Sequence, residues 1–239
     1  MCGRFVSATP PDQVAAYFDT EAPEALLEAS YNVAPTNDVY AVLADGSTRH
    51  LDAFHWGLVP IWAKDPKIGS KMINARAETL AEKSAYKAAF KRRRCLIPAD
   101  GFFEWKKDPN AGPKAKKQPY FIHHPDGEPY AFAGLWEVWR GPNKDQEPWR
   151  SCTIITTAPN EVMATIHDRM PVILPASAWD AWLDRDNDDL DLLGKLLVPA
   201  DPALTVLHPV STLVNNVRNK GPELIAAVDP DAPPEGTLL

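Results

Sequence analysis

Short runs of β-branched and aromatic residues, each closed by a glycine, proline or aspartate turn signal, recur along this chain and predict strands more often than helices. Residues 39–44, the Asp45-Gly46 turn and residues 48–58 read as one hairpin; residues 120–123, the Pro125-Asp126-Gly127 turn and residues 130–138 read as a second. Residues 95–98, 102–105 and 151–157 have the same character and are read as further strands. Helical spacing is confined to shorter stretches. Thr9-Pro10-Pro11-Asp12 opens a helix with Val14, Tyr17 and Phe18 on one face that ends near Thr20, and residues 84–92 form another. Asn160 caps residues 161–166, Ser177 caps residues 178–183, and residues 188–197 carry apolar side chains at helical spacing. Strands outnumber helices without alternating regularly with them. The pattern therefore predicts an α+β fold with a mainly antiparallel, barrel-like β core and peripheral helices, not a parallel βαβ sheet.

The 24 prolines and 12 glycines are spread as punctuation, and no repeat or low-complexity tract divides the 239 residues, so one domain is expected over 1–239 with about the last ten residues flexible. No window holds the roughly 18 consecutive apolar residues of a membrane span, and the first ten residues lack a secretory signal, so a soluble cytoplasmic protein without membrane association is expected. Cys2, Cys95 and Cys152 are odd in number and show no C-x-x-C spacing, which argues against a disulfide framework and a four-cysteine zinc site. His123-His124 lack a matching ligand pair, and no metal or cofactor is assigned.

The net charge of −7 conceals an asymmetry: residues 64–117 hold 15 Lys+Arg against 6 Asp+Glu, a net of +9, leaving −16 on the rest. This island mixes Lys91-Arg92-Arg93-Arg94 and Lys106-Lys107 with Phe102, Phe103 and Trp105, as a backbone-tracking, base-stacking surface would; a solvated helix face plus a lysine-rich loop is the structural alternative.

Cys2 directly follows the initiator methionine, and its small side chain favours removal of Met1 during maturation. A chain beginning with cysteine carries two nucleophiles on adjacent carbons, an amine of pKa about 7.7–8.0 and a thiol of about 8.5. An aldehyde meeting that pair forms an imine with the amine, and the thiol then closes a five-membered thiazolidine. An ordinary buried second residue is the alternative. Gly3 permits close backbone approach, and Arg4 supplies a fork suited to phosphate.

Other polar residues stand in unusual surroundings. Asn74 and Arg76 share a face if their segment is extended, as an amide that orients an amine or sugar oxygen beside a phosphate-binding guanidinium; the structural alternative is that Asn74 bonds local backbone and Arg76 pairs with Glu78. Glu104 lies among aromatics, where burial would raise its pKa and suit it to proton transfer, or where it would partner a nearby arginine; Trp105 points to the opposite strand face, as core or as a base contact. His167 sits on a corner before Pro171 as a candidate proton shuttle or as a satisfied structural group, with Asp168 to set its tautomer or instead to bind backbone, and Arg169 as a further phosphate contact.

Met1-Cys2-Gly3-Arg4-Phe5, Tyr31-Asn32-Val33-Ala34-Pro35, His55-Trp56-Gly57-Leu58-Val59-Pro60, Ile73-Asn74-Ala75-Arg76-Ala77-Glu78-Thr79, Pro98-Ala99-Asp100-Gly101-Phe102-Phe103-Glu104-Trp105 and Ile166-His167-Asp168-Arg169-Met170-Pro171 together resemble the SOS-response-associated peptidase family, in the family's order and over nearly the whole chain. His208-Pro209-Val210-Ser211 and Asn216-Val217-Arg218-Asn219-Lys220-Gly221 resemble it as well. The resemblance implies a sensor of abasic sites in single-stranded DNA that forms a thiazolidine DNA–protein crosslink and shields the lesion. It implies Cys2 as nucleophile, Asn74 positioning the amine or sugar, Glu104 handling protons and His167 assisting ring opening. It further implies Arg4, Arg76 and Arg169 as phosphate contacts and Trp62 near the bases. A monomer is expected; a replication-fork partner is not specified by the sequence. The rival readings are a thiol peptidase acting through Cys2, possible on its own N-terminus, and a noncovalent module for modified bases.

Overall fold

The computed structural model describes residues 2–107, 110, 112 and 117–230. The chain runs β1 (Phe5–Ser7), α1 (Pro11–Phe18), β2 (Ser30–Val33), β3 (Asp38–Asp45), β4 (Thr48–Trp56), β5 (Asn74–Arg76), α2 (Lys87–Arg92), β6 (Arg94–Ala99), β7 (Gly101–Lys106) and β8 (Gln118–His123). It continues through β9 (Tyr130–Trp139), β10 (Trp149–Thr157), β11 (Met170–Pro171), α3 (Ala176–Leu183), α4 (Leu190–Lys195) and β12 (Val206–Pro209). One sheet has the order β12-β8-β7-β1-β2. In the other, β9 pairs with both β6 and β10, so β10-β4-β3-β6-β9 close into a five-stranded barrel, with β5 and β11 added along β10. The expected α+β, mainly antiparallel and barrel-like architecture is what forms. The exceptions to antiparallel pairing lie at β10, which runs parallel to β4 and to β5.

Alternation along the strands feeds two cores. Ala41, Ile97, Phe132 and Ile154 pack with Phe5, Phe102 and Ile122 of the five-stranded sheet. Their neighbours Val42, Leu96, Ala133 and Ile155 pack under the helices, against Phe90, Trp179, Trp182 and Leu193.

The first expected hairpin forms as β3–β4, with Gly46 at φ 59° in its turn. The second does not. β8 and β9 are strands, but β8 pairs with β7 and β12 whereas β9 pairs with β6 and β10. Gly127, at φ 74°, turns the chain from one sheet into the other. The matching corner is Asp100-Gly101, between β6 and β7, so that β6–β7 and β8–β9 form one long hairpin bent across both sheets. Gly101 is required there, because a Cβ would stand 2.5 Å from the Ile122 carbonyl oxygen and from the Phe121 ring. The Asp100 carboxylate secures the corner by accepting from the Ala8 and Thr9 amides and the Thr9 hydroxyl at 2.6–2.9 Å.

Thr9 is thereby engaged elsewhere and α1 starts after Pro10, ending at Asp19 in the left-handed conformation. Residues 161–166 give only a 3-10 turn over Met163–Thr165, which Asn160 does cap through its Oδ1 and the Met163 amide (2.9 Å). Ser177 lies inside α3, whose cap position is Pro175, and α4 is shorter than expected and capped by Asp189. The lysine-rich loop is described only at its edges, and the expected flexibility of the chain's last ten or so residues lies outside the described residues but for Pro230. No described helix is long and apolar enough to cross a membrane.

Candidate functional site

Four distant segments meet at the start of the chain. Cys2 is fully buried, and its carbonyl accepts from Asn74 Nδ2 at 2.7 Å. Asn74 is held by β5, which lies parallel to β10 with Ile154 opposite Asn74. As expected for an extended segment, Ala75 faces the core while Asn74 and Arg76 project from the other face. The Asn74 Oδ1 is buried and has no hydrogen-bond partner. Glu104, on β7, is only 3% exposed and alternates with Phe103 and Trp105, which pack with Val6 and Phe121 on the opposite face. His167 follows the 3-10 turn, and its Nε2 stands 3.9 Å from Glu104 Oε2, too far for a direct hydrogen bond.

Burial dominates the electrostatics. It raises the Glu104 carboxyl to about 7, so acid and base forms coexist near neutrality. Burial, followed by the charge of Glu104, raises the Cys2 thiol, which is therefore a neutral thiol and not a standing thiolate. Desolvation lowers the His167 pKa. His167 Nδ1 lies 3.0 Å from the Arg169 amide and 2.9 Å from Asp168 Oδ1, contacts that demand opposite tautomers of a neutral ring. The amide is fixed, whereas the Asp168 side chain is 88% exposed. The amide therefore sets the neutral tautomer, with the proton on Nε2 toward Glu104. Lys117 acts electrostatically on both Glu104 and His167.

The arginines divide by environment. Arg76 is exposed at the end of β5. Arg169 does not stand open to solvent: Nη1 and Nη2 meet Glu78 Oε1 and Oε2 at 2.6 and 3.0 Å, and Nη2 also reaches the Thr156 carbonyl at 2.5 Å. Glu78 thus pairs with Arg169, not with Arg76. Arg4 Nη1 is committed to Asn32 Oδ1 (2.7 Å) and the Val214 carbonyl (2.8 Å), and its guanidinium lies 5.8 Å from the Trp105 ring centroid. Trp105 Nε1 donates to Asn215 Oδ1 at 2.7 Å. Trp62 is 54% exposed, on the wall of a cavity also lined by Lys64, Lys67, Ser70 and Lys71. The run at 91–94 is largely structural. Arg94 is buried and donates to the carbonyls of Trp182, Phe90, Lys91, Asp184 and Asn187, while Arg93 pairs with Glu137 and Arg92 with Asp186.

Sequence reasoning passed over the residues that hold the site. The Tyr86 hydroxyl donates to the Asn74 carbonyl at 3.2 Å and Trp56 Nε1 to the Ile73 carbonyl at 2.9 Å, so both aromatics fix the Asn74 backbone. Asn32 joins Arg4 to the carbonyls of Val214, Asn216 and Asn219. The polar atoms carried by otherwise apolar core residues were the available signal. Among the described residues no group of three or more His, Cys, Asp or Glu could hold a metal ion.

Cys2 therefore lies beside an amide, a carboxyl of raised pKa and an imidazole at the start of the chain. The chain belongs to the SOS response associated peptidase (SRAP) family, whose profile matches residues 1–217. It is 46% identical over 228 residues to the abasic site processing protein YoqW of Bacillus subtilis, covering 94% of this chain and 99% of that one. It is 34% identical to the abasic site processing protein YedK of Escherichia coli, over 95% of this chain and 100% of that one, and 34% identical to HMCES of Xenopus tropicalis, over 95% and 78%. A crystal structure of a protein from Bacteroides thetaiotaomicron shares the fold with a TM-score of 0.83 at 23% identity, covering 95% of this chain and 100% of that one.

Proposed function

We propose that this protein senses abasic sites in single-stranded DNA and, once Met1 is removed, captures them as a thiazolidine through the amine and thiol of Cys2. The observation that carries the reading is the Asn74 amide. Its Nδ2 grips the Cys2 carbonyl at 2.7 Å while its Oδ1 is buried without a partner, leaving an acceptor for the amine of a chain that begins at Cys2. The names of the relatives support the substrate.

The open-chain aldehyde of an abasic deoxyribose is attacked at C1 by the Cys2 nitrogen. The carbinolamine, protonated at its hydroxyl, loses water to leave an iminium that keeps its N–H, and the Cys2 sulfur adds to the iminium carbon as the thiol proton returns to the group that protonated the hydroxyl. Aldehyde, amine and thiol become one ring plus one water. Glu104, poised near 7, supplies the proton that turns the hydroxyl into water and accepts the thiol proton. His167, across the 3.9 Å gap from Glu104, hydrogen-bonds the sugar hydroxyl that opens the ring and serves the reverse path. Arg76 and Arg169 hold flanking phosphates, Arg4 supports the backbone near the terminus, and Trp62 and Trp105 offer ring faces to bases. An imine left open acidifies the sugar C2 protons and invites β-elimination; ring closure removes it and shields the strand.

The test is incubation of the mature protein and its Cys2→Ala and Cys2→Ser variants with abasic and undamaged single strands, abasic duplex and a peptide library, resolved under denaturing conditions. A heat-stable band confined to wild type with the abasic single strand supports the proposal. Peptide cleavage without a DNA adduct would replace it with the peptidase reading.

A further inference from the structure

The ion pair between Glu78 and Arg169 has a consequence for DNA selection that rests on the reading above. Arg169 is held tightly: its side chain is 15% exposed, its Nη2 is fixed by the Thr156 carbonyl, and its Nε is buried without a partner. Glu78 is 53% exposed. It leaves β5 on the 3-10 turn Ala77–Thr79, none of whose residues is buried. The bidentate contact at 2.6 and 3.0 Å uses the guanidinium edge that a phosphodiester would take, because carboxylate and phosphate present the same pair of oxygens to that fork.

We infer that Glu78 is an internal phosphate surrogate, which a DNA backbone must displace from Arg169, and that it is thereby a specificity-determining residue. Arg169 stays in place during the exchange because Thr156 holds it, while Glu78 swings into solvent. An undamaged strand, retained only by phosphate contacts, meets this competition every time it binds and dissociates the faster for it. A strand carrying an abasic site, once joined covalently to Cys2, no longer depends on the Arg169 contact to remain. Glu78 therefore depresses occupancy of undamaged DNA more than it depresses capture of the lesion. The hydrogen bonds from Arg169 hold the Glu78 carboxyl below its ordinary range, so the competitor stays ionised throughout the neutral and mildly acidic region.

The test is fluorescence anisotropy of an undamaged single-stranded oligonucleotide with wild type, Glu78→Gln, Arg169→Gln and the double variant, with thermal melts to establish folding. Glu78→Gln is expected to bind undamaged DNA roughly two- to fivefold more tightly, the range of one partly exposed ion pair. It should crosslink a saturating abasic oligonucleotide at a rate within about twofold of wild type, since ground-state binding no longer limits it there. The gain should vanish in the Arg169→Gln background, which separates competition for the fork from simple loss of a negative charge. Unchanged or weaker binding by Glu78→Gln, or an equal gain with and without Arg169, would overturn the inference. Wild type that binds neither undamaged nor abasic single strands would instead remove the DNA reading on which it rests.

Discussion

Glu104→Gln should stabilise the folded protein at alkaline pH while disabling its chemistry. Burial raises the Glu104 carboxyl from 4.5 to about 7 in the folded chain, so between those values the folded state binds more protons than the unfolded one. Stability therefore falls as pH rises across that window: the contribution is intact below about 4.5, declines through the interval, and is lost once pH passes the folded-state value. Moving the carboxyl from 4.5 to about 7 corresponds to about 3.5 kcal/mol in all, of which the part below pH 5 is already lost at that pH. The residue is only 3% exposed, so solvent screening takes little of it away. A glutamine of the same size carries no charge and escapes the loss. Urea unfolding of both proteins at pH 5 and pH 8 gives a double difference in which the titrating groups distant from Glu104 cancel. The variant should gain about 2.5 kcal/mol on wild type between the two, or roughly 5–10 °C in thermal midpoint for a chain of this length. A double difference near zero, or one favouring wild type at pH 8, would refute a carboxyl held protonated by burial.

Other consequences can be checked separately. Crosslinking by wild type should show an inflection near pH 7 that Glu104→Gln lacks, read from single-turnover rates on denaturing gels. Cys2→Ala keeps an N-terminal amine without sulfur, so it should give an imine trapped only by borohydride and should cleave the abasic strand. Tyr86→Phe removes the hydroxyl that holds the Asn74 carbonyl at 3.2 Å and should cost about 1 kcal/mol in urea unfolding, with slower crosslinking. Arg94→Met strips the donor from five carbonyl oxygens at the ends of α2 and α3 and should destabilise by at least about 3 kcal/mol, without altering DNA affinity in the folded fraction.

What the sequence conveys and what it conceals differ in physical kind. The β3–β4 hairpin is legible because a two-residue turn with a glycine fixes both pairing and register locally. The segment 120–138 carries the same local signals, yet β8 and β9 choose partners in different sheets, a choice set by the corner at Gly101 and by strands far away in the chain. Period-two alternation likewise places Asn74 and Arg76 on one face and separates Glu104 from Trp105. Alternation fails for Glu78, because the 3-10 turn at Ala77–Thr79 rotates it out of the strand pattern and toward Arg169, 91 residues away. Charge counting misleads at 91–94, where three arginines spend their donors on helix ends and carboxylates, a use that depends on where α3 and β9 pack.

Mapping the adduct shows which atoms of the protein hold the sugar. Mature protein incubated with an abasic single-stranded oligonucleotide is digested with nuclease and protease, and the products are sequenced by mass spectrometry after alkylation of free thiols. Capture through Cys2 gives a peptide beginning at Cys2 that carries the deoxyribose residue with loss of one water, its sulfur closed to alkylation and its nitrogen no longer a primary amine. An adduct mapped to a lysine, with the Cys2 sulfur alkylated in the same molecules, would contradict it.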